Sequence, residues 1–122
     1  AAAGATYSAR WTTIQIESLV TAIKDGLKNP GFSFIEVATQ CPTYFGRKNK
    51  LRTPTAMAAV MKANTVFKSA ADRMSARDLE GKIVVGEFAD YTKDEFTENI
   101  DKISVEKSGK RTLINSAYET EF

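Results

Sequence analysis

The chain has 122 residues, of which 43% are hydrophobic, 17 are basic and 15 are acidic. This length and composition predict one compact domain with a modest core. A net charge of +2 does not favour nucleic acid or an anionic membrane as a partner. Histidine is absent, which excludes Ser-His and Cys-His nucleophile pairs and removes the commonest metal ligand.

The single cysteine, the opening residues and the lack of a long apolar segment predict a cytoplasmic protein with no membrane contact. One cysteine cannot form an internal disulfide. The opening "AAAGATYSARW" lacks the basic leader and long apolar run of a signal peptide. No stretch approaches the roughly 20 apolar residues that a membrane span requires.

The first 28 residues predict a strand followed by an amphipathic helix. The stretch "GATYSARW", residues 4 to 11, is rich in β-branched and aromatic residues, as strands are. Thr12 and Gln15 have capping-box spacing, so we expect a helix from about Thr13 to Lys28. The apolar residues that repeat at helical spacing, at i, i+3, i+4, i+7 and i+11, are Ile16, Leu19, Val20, Ile23 and Leu27.

A second strand is predicted directly after this helix. The tripeptide "NPG", residues 29 to 31, ends the helix because the residue before proline avoids the helical region. The mostly apolar "FSFIEVA", residues 32 to 38, predicts a strand covered on both faces in a parallel sheet. Strand, helix and strand form a βαβ unit, and Cys41 follows at the edge where such sheets bind ligands.

The second half predicts shorter elements. Thr53 and Pro54 supply an N-cap and an N1 proline for a helix through "TAMAAVMKANTVF", residues 55 to 67, with a methionine-rich apolar face suited to core packing. "SARD", residues 75 to 78, predicts a capped turn closed by Gly81, and "KIVVGEF", residues 82 to 88, predicts a strand.

The last predicted helix follows a third capping box, formed by Thr92 and Glu95. Phe96, Ile100 and Ile103 lie on one face of it. The polar remainder, residues 104 to 122, predicts a tail or arm.

Cys41 has three interpretations on sequence alone. It can be a small buried apolar residue. It can be a reactive nucleophile, although without histidine only Arg47, Lys48 and Lys50 would stabilise its thiolate. It can also be a metal or cluster ligand, in which case the other ligands must come from outside this chain, since an iron-sulfur cluster normally takes four thiolates.

A basic loop follows Cys41. It is either a solvated surface loop or a site for a phosphate-bearing cofactor or an acidic electron carrier, with Tyr44 and Phe45 as stacking surfaces. No nucleic-acid-binding motif accompanies it. Its cations are Arg47, Lys48, Lys50 and Arg52.

Glu36 is a charged residue within an apolar strand. An unpaired buried carboxylate is costly, so Glu36 is expected at a face reached by water or beside a cation that the sequence does not identify.

Three stretches of this chain resemble, in the same order, the β subunit of 2-oxoacid:ferredoxin oxidoreductases, most closely the 2-oxoglutarate branch. The resemblance extends over residues 2 to 90. It is most specific from Gly31 to Asn49. The stretches are "AAGATYSARWTT", "GFSFIEVATQCPTYFGRKNK" and "MSARDLEGKIVVGEF".

The resemblance implies an activity and its cofactors. In that family the β subunit carries thiamine diphosphate, magnesium and a four-iron, four-sulfur cluster. The complex decarboxylates a 2-oxoacid, forms an acyl-CoA and passes electrons to ferredoxin. Cys41 matches the family's late cluster ligand, and Arg47, Lys48 and Asn49 become candidate cofactor contacts. The implied partners are the α subunit and further subunits, ferredoxin, CoA and the 2-oxoacid.

The resemblance also implies an α/β fold class. Residues 1–48 would end a doubly wound thiamine-diphosphate-binding domain, and residues 49–122 would form a small helix and strand extension with a polar tail. The family's early cysteines and GDG-to-Asn motif have no counterpart in this sequence. We therefore expect the C-terminal part of a longer subunit, inactive alone, with no catalytic residue or complete cofactor site of its own, and prone to self-association through an exposed edge.

An alternative function needs no missing part. In it, the chain is a freestanding α/β binding module that uses the basic loop, Arg47 to Arg52, to recognise an anionic partner.

Overall fold

Four strands form one mixed sheet in the computed structural model, which describes residues 1–108. The chain alternates between strands and helices, as the α/β fold class predicts. In chain order the elements are β1 (Tyr7–Thr12), α1 (Ile16–Lys28), β2 (Ser33–Ala38), a π-helical turn (Pro42–Gly46), α2 (Pro54–Asn64), β3 (Thr65–Phe67), α3 (Lys68–Ala71), β4 (Ile83–Asp90) and α4 (Phe96–Ser108).

The strand order is β2-β1-β4-β3. β1 and β2 are parallel, with Tyr7 opposite Ser33 and Trp11 opposite Val37, and α1 connects them. The predicted βαβ unit is therefore confirmed. β4 then pairs antiparallel with β1, and β3 pairs parallel with β4. The sheet thus joins strands from both sides of residue 48.

The core lies between α1 and the sheet. Tyr7, Ala9 and Ala22 are buried there, and Trp11 and Ile35 pack against them. α1 approaches closely because Gly26 has no side chain: a Cβ on Gly26 would lie 2.9 Å from Cδ1 of Ile35. Small residues on the sheet side of α1 therefore set the spacing between helix and sheet.

α1 begins later than predicted. Thr12 and Gln15 do interact, since the Thr12 N–H donates to Gln15 Oε1 at 3.3 Å. Thr12 Oγ1 accepts from the N–H of Ile14 at 3.2 Å, so the pair closes a tight turn before the helix. The helix itself starts at Ile16. Its C-terminal end at Lys28 agrees with the prediction.

β2 is an edge strand and one of its faces is exposed, so the prediction that both faces are covered was wrong. Its only neighbour in the described sheet is β1, and α1 packs on one face. Phe34 is 53% exposed and Val37 is 42% exposed. A mostly apolar run predicts a strand, but it does not establish which elements cover that strand.

α2 starts as predicted and ends earlier. Thr53 caps it by accepting from the N–H of Ala56 at 3.1 Å, and Pro54 is its first residue. Met57 is buried, as expected for core packing. The helix ends at Asn64, because the β-branched and aromatic run Thr65–Phe67 forms β3 instead.

The predicted turn before β4 is confirmed. Ser75 and Asp78 form a reciprocal cap, with Ser75 Oγ donating to Asp78 Oδ2 at 2.7 Å and accepting from the Asp78 N–H at 3.3 Å. Gly81 has a φ of 71°, the left-handed conformation that glycine adopts readily. The predicted strand at residues 82 to 88 corresponds to β4.

α4 begins at Phe96, and its capping residue is Glu95 rather than Thr92. The Thr97 N–H donates to Glu95 Oε2 at 3.0 Å. The predicted tail overlaps α4 at residues 104 to 108, which are helical. Its remaining part, residues 109 to 122, lies outside the described residues. Among the described helices, none has the length and apolar character needed to cross a membrane.

Candidate functional site

Cys41 lies three residues after the end of β2, on the surface of the protein. It is a free cysteine and is exposed. The interpretation of Cys41 as a buried apolar residue was therefore wrong. The thiol is accessible to a ligand, a cluster or a reagent.

The turn after Cys41 surrounds the thiol with hydrogen-bond donors. Pro42–Gly46 forms one π-helical turn, closed by a bond of 2.9 Å from the Gly46 N–H to the Cys41 carbonyl. Hydrogen bonds from the backbone N–H groups of Phe45 and then Tyr44 lower the pKa of the Cys41 thiol, and Thr43 contributes further. These donors favour the thiolate, which is the form that binds metals.

These backbone donors are the part of the site that sequence reasoning missed. On sequence alone, the neighbouring cations were the only groups considered able to stabilise a thiolate, whereas hydrogen bonds from residues 43 to 45 lower the pKa of Cys41. The sequence carried one signal for this arrangement. Cys-Pro places a residue without an N–H at the first position of a turn, so the next N–H groups are free to point back at the thiol.

Gly46 holds this turn against α2. It is buried, and its carbonyl accepts from the N–H of Leu51 at 2.8 Å. A Cβ at this position would lie 2.8 Å from the carbonyl oxygen of Leu51 and 2.9 Å from Sδ of Met57. Only glycine fits such a close approach, so Gly46 positions the loop that carries Cys41.

The basic loop is exposed and partly ordered by its own side chains. Lys48 Nζ donates to the hydroxyl of Tyr44 at 2.8 Å and lies 4.5 Å from the centre of the Tyr44 ring. Asn49 Nδ2 donates to the carbonyl of Phe45 at 2.9 Å. The predicted contacts Arg47, Lys48 and Asn49 therefore lie in one segment with the turn that follows Cys41.

An apolar pocket of about 360 Å³ lies between the end of β2, α2 and the start of β4. Phe45 lines it, so the pocket borders the turn that follows Cys41. Its other lining residues include Met57, Val60, Met61 and Ile83.

Residues 1–108 do not supply a complete metal site. Within them, no group of three or more His, Cys, Asp and Glu side chains is arranged to hold a metal ion. The described chain offers a cluster one thiolate, that of Cys41. Any metal bound by Cys41 would therefore need further ligands from outside residues 1–108.

This segment therefore belongs to the α/β class: it has a mixed sheet, and an exposed thiol lies just beyond one of its parallel strands. Comparison with curated proteins gives its relatives. The chain is 50% identical over 117 residues to the 2-oxoglutarate synthase subunit KorB of Methanothermobacter marburgensis, covering 96% of this chain and 41% of that protein. It is 52% identical over 102 residues to the KorB subunit of Methanocaldococcus jannaschii, covering 84% and 38% respectively.

These relatives confirm the predicted resemblance to the 2-oxoglutarate branch of the 2-oxoacid oxidoreductases. The KorB subunit of Methanothermobacter thermautotrophicus is 52% identical over 118 residues. The chain spans only about 41% of the length of the first two relatives. No protein-family model matches the chain, and no solved structure matches it significantly.

Proposed function

We propose that this chain is part of the β subunit of a 2-oxoglutarate:ferredoxin oxidoreductase. The observation that carries this proposal is its similarity, at about half identity and over nearly its whole length, to subunits named 2-oxoglutarate synthase subunit KorB. The complete enzyme would decarboxylate 2-oxoglutarate oxidatively in a CoA-dependent reaction and pass the electrons to ferredoxin. This chain alone would be inactive.

Cys41 is the proposed ligand of a four-iron, four-sulfur cluster. Its exposure and its lowered pKa support this role, because a cluster ligand must be an accessible thiolate. The remaining thiolates would come from outside this chain. The bound cluster would supply one-electron transfer.

Arg47, Lys48 and Asn49 are proposed contacts for an anionic cofactor or partner. They are exposed in the loop that follows Cys41, and exposed cations attract phosphate groups and acidic protein surfaces. In the complete subunit we propose thiamine diphosphate with magnesium, bound by an α/β domain that ends near residue 48. Residues 49–122 would form its extension.

The proposed partners are the other subunits of the oxidoreductase together with ferredoxin, CoA and the 2-oxoacid. A cytoplasmic location, without nucleic acid or membrane, belongs to the same proposal.

The cluster assignment is tested in a complete subunit that contains this segment. We expect Cys41→Ser to lower both iron and acid-labile sulfide per subunit, because one thiolate of the cluster is lost. Thr39→Ala, an exposed neighbour at the same end of β2, is the matched control and should keep both contents unchanged. Full cluster content in Cys41→Ser would refute the ligand assignment.

The gene provides a second test. Paired cysteines and a GDG motif encoded upstream of Ala1 would support the subunit proposal. A start codon adjacent to Ala1 would instead favour the freestanding binding module.

A further inference from the structure

The loop that begins at Cys41 is anchored to the rest of the protein at one residue. Of residues 41–50, which we call the Cys41 loop, Gly46 is buried and the others are exposed. Exposed segments with few buried contacts open easily, so the stability of this loop depends on what surrounds Gly46.

Met57 of α2 meets the Cys41 loop at that residue. A Cβ on Gly46 would lie 2.9 Å from Sδ of Met57, so the thioether packs directly against the Gly46 backbone. Met57 is 3% exposed and is the one buried residue of α2. Within residues 1–108, the turn Pro42–Gly46 is also the main element that α2 contacts. The loop and the helix therefore meet through one buried residue on each side.

α2 is itself tied to the sheet. It continues directly from Asn64 into β3, which pairs with β4. Nζ of Lys82, the residue before β4, donates to Asn64 Oδ1 at 3.4 Å. The sheet thus fixes the C-terminal end of α2, and the helix extends that fixed point to the Cys41 loop.

Gly46 connects this contact to the backbone of Cys41. Its N–H donates to the Cys41 carbonyl at 2.9 Å, and its own carbonyl accepts from the Leu51 N–H at 2.8 Å. These two hydrogen bonds hold the turn on both sides of Gly46. A displacement of Gly46 would therefore displace Cys41.

We propose that Met57 is a positioning residue for Cys41, because its contact with Gly46 holds the turn that presents the thiol. Where the iron-sulfur cluster is concerned, this inference rests on the proposed function, in which Cys41 is a ligand. Residues that orient a metal ligand without binding the metal change metal affinity by about tenfold to a hundredfold when they are replaced. Met57 has this kind of role, since it touches Gly46 and acts on Cys41 through it.

Met61 provides the matched control. It lies one helical turn after Met57, is partly buried and lines the same apolar pocket. The atoms nearest to a Cβ on Gly46 belong to Leu51, Met57 and Cys41, and none belongs to Met61. A role in filling the pocket would be shared by both methionines, whereas a role in positioning Cys41 belongs to Met57.

The first test is amide hydrogen exchange in the complete subunit that contains this segment, or in this chain if it is the entire gene product. A Cys41→Ser background keeps a bound cluster from ordering the turn. We expect Met57→Ala to raise the exchange rate of residues 43–51 by about tenfold, with β1 and β4 unchanged. Met57→Leu keeps the side-chain volume and should restore slow exchange, and Met61→Ala should leave the loop unchanged.

Two results of this test would overturn the proposal. One is unchanged exchange of the Cys41 loop in Met57→Ala, and the other is an equal increase in Met61→Ala. If Met57→Ala does not fold, Met57→Val removes less volume and gives the same comparison.

The second test restores Cys41 and measures how fast the cluster in the complete subunit is lost to an iron chelator, followed by visible absorbance. Met57→Ala should lose the cluster about tenfold faster than the unmodified subunit, whereas Met57→Leu and Met61→Ala should not. Equal rates in a subunit whose cluster depends on Cys41 would refute the role of Met57 at the cluster. Full cluster content in Cys41→Ser would instead refute the proposed function, and hydrogen exchange would still decide whether Met57 holds the turn.

Discussion

Arg10 and Glu36 lie directly opposite each other on the parallel strands β1 and β2, with Arg10 Nη2 2.7 Å from Glu36 Oε2. Arg10 Nε also donates to Glu36 Oε2 at 2.8 Å. The guanidinium carbon is 5.6 Å from the centre of the Phe88 ring on β4. This arrangement answers both sequence expectations for Glu36, which is exposed and has a cationic partner.

The first prediction concerns this ion pair. Both side chains are more than a third exposed, so water screens their attraction and we expect Glu36→Gln to cost about 0.5 kcal/mol in the free energy of unfolding. A double-mutant cycle with Arg10→Met, followed by urea denaturation, measures the coupling. A coupling energy of several kcal/mol would contradict this expectation.

The second prediction concerns stability at alkaline pH. Burial, followed by the nearby Glu87 carboxylate, raises the pKa of Tyr7 to about 12. A raised folded-state pKa means that its contribution to stability is complete below the unfolded value near 10 and is lost as pH rises toward 12. We expect the free energy of unfolding to fall by about 2 kcal/mol over this range.

Tyr7→Phe tests the assignment of that pH dependence. Phenylalanine cannot ionise, so this variant should lose the alkaline decline when unfolding is followed by denaturant titration at each pH. Tyr91→Phe, at an exposed tyrosine, should retain it. An unchanged decline in Tyr7→Phe would assign the effect to other groups.

The third prediction concerns the reactivity of Cys41. Hydrogen bonds from the N–H groups of Phe45 and Tyr44 lower the pKa of this thiol, so iodoacetamide should modify it at a lower pH in the folded chain than in urea. The measurement is the alkylation rate as a function of pH, followed by mass spectrometry. Thr43→Ala should move the midpoint upward by removing one further donor. Coincident folded and unfolded profiles would refute this account.

The fourth prediction compares two glycines. Gly46→Ala should destabilise the chain by about 1 to 3 kcal/mol, because its Cβ would meet the backbone oxygen of Leu51 at 2.8 Å. Gly26→Ala is the matched substitution. Its Cβ would lie 2.9 Å from the flexible end of Ile35, which can move aside, and 3.4 Å from Cδ1 of Tyr7, which is an ordinary contact, and alanine favours the helix.

Thermal unfolding of both variants separates the two cases. We expect a clearly lower midpoint for Gly46→Ala and a small change for Gly26→Ala. Equal effects would mean that the close approach of Gly46 does not hold the Cys41 loop.

Local sequence signals predicted where helices and strands begin better than they predicted which other parts of the chain pack around them. The Thr53 cap and Pro54 start α2 as expected, since a cap depends on residues within one turn. The same reasoning extended α2 through Thr65–Phe67, where pairing with β4 overrides helical continuation. At the site, the sequence located Cys41 after a strand. Its exposure and its backbone donors depend on how the chain turns at Pro42.

The amino-acid sequence by itself determined the βαβ unit, the start of α2, the strand β4 and the relationship to 2-oxoglutarate synthase subunits, but it did not predict β3 or α3. Those features depend on short-range periodicity, caps and residue identity. Only the tertiary structure decided that β4 lies beside β1, that β2 is an edge, and that apolar residues of α1 such as Ile16 and Leu27 are largely exposed. Each of these depends on contacts between residues far apart in the chain, and a pattern of apolar residues does not specify which surface will cover them.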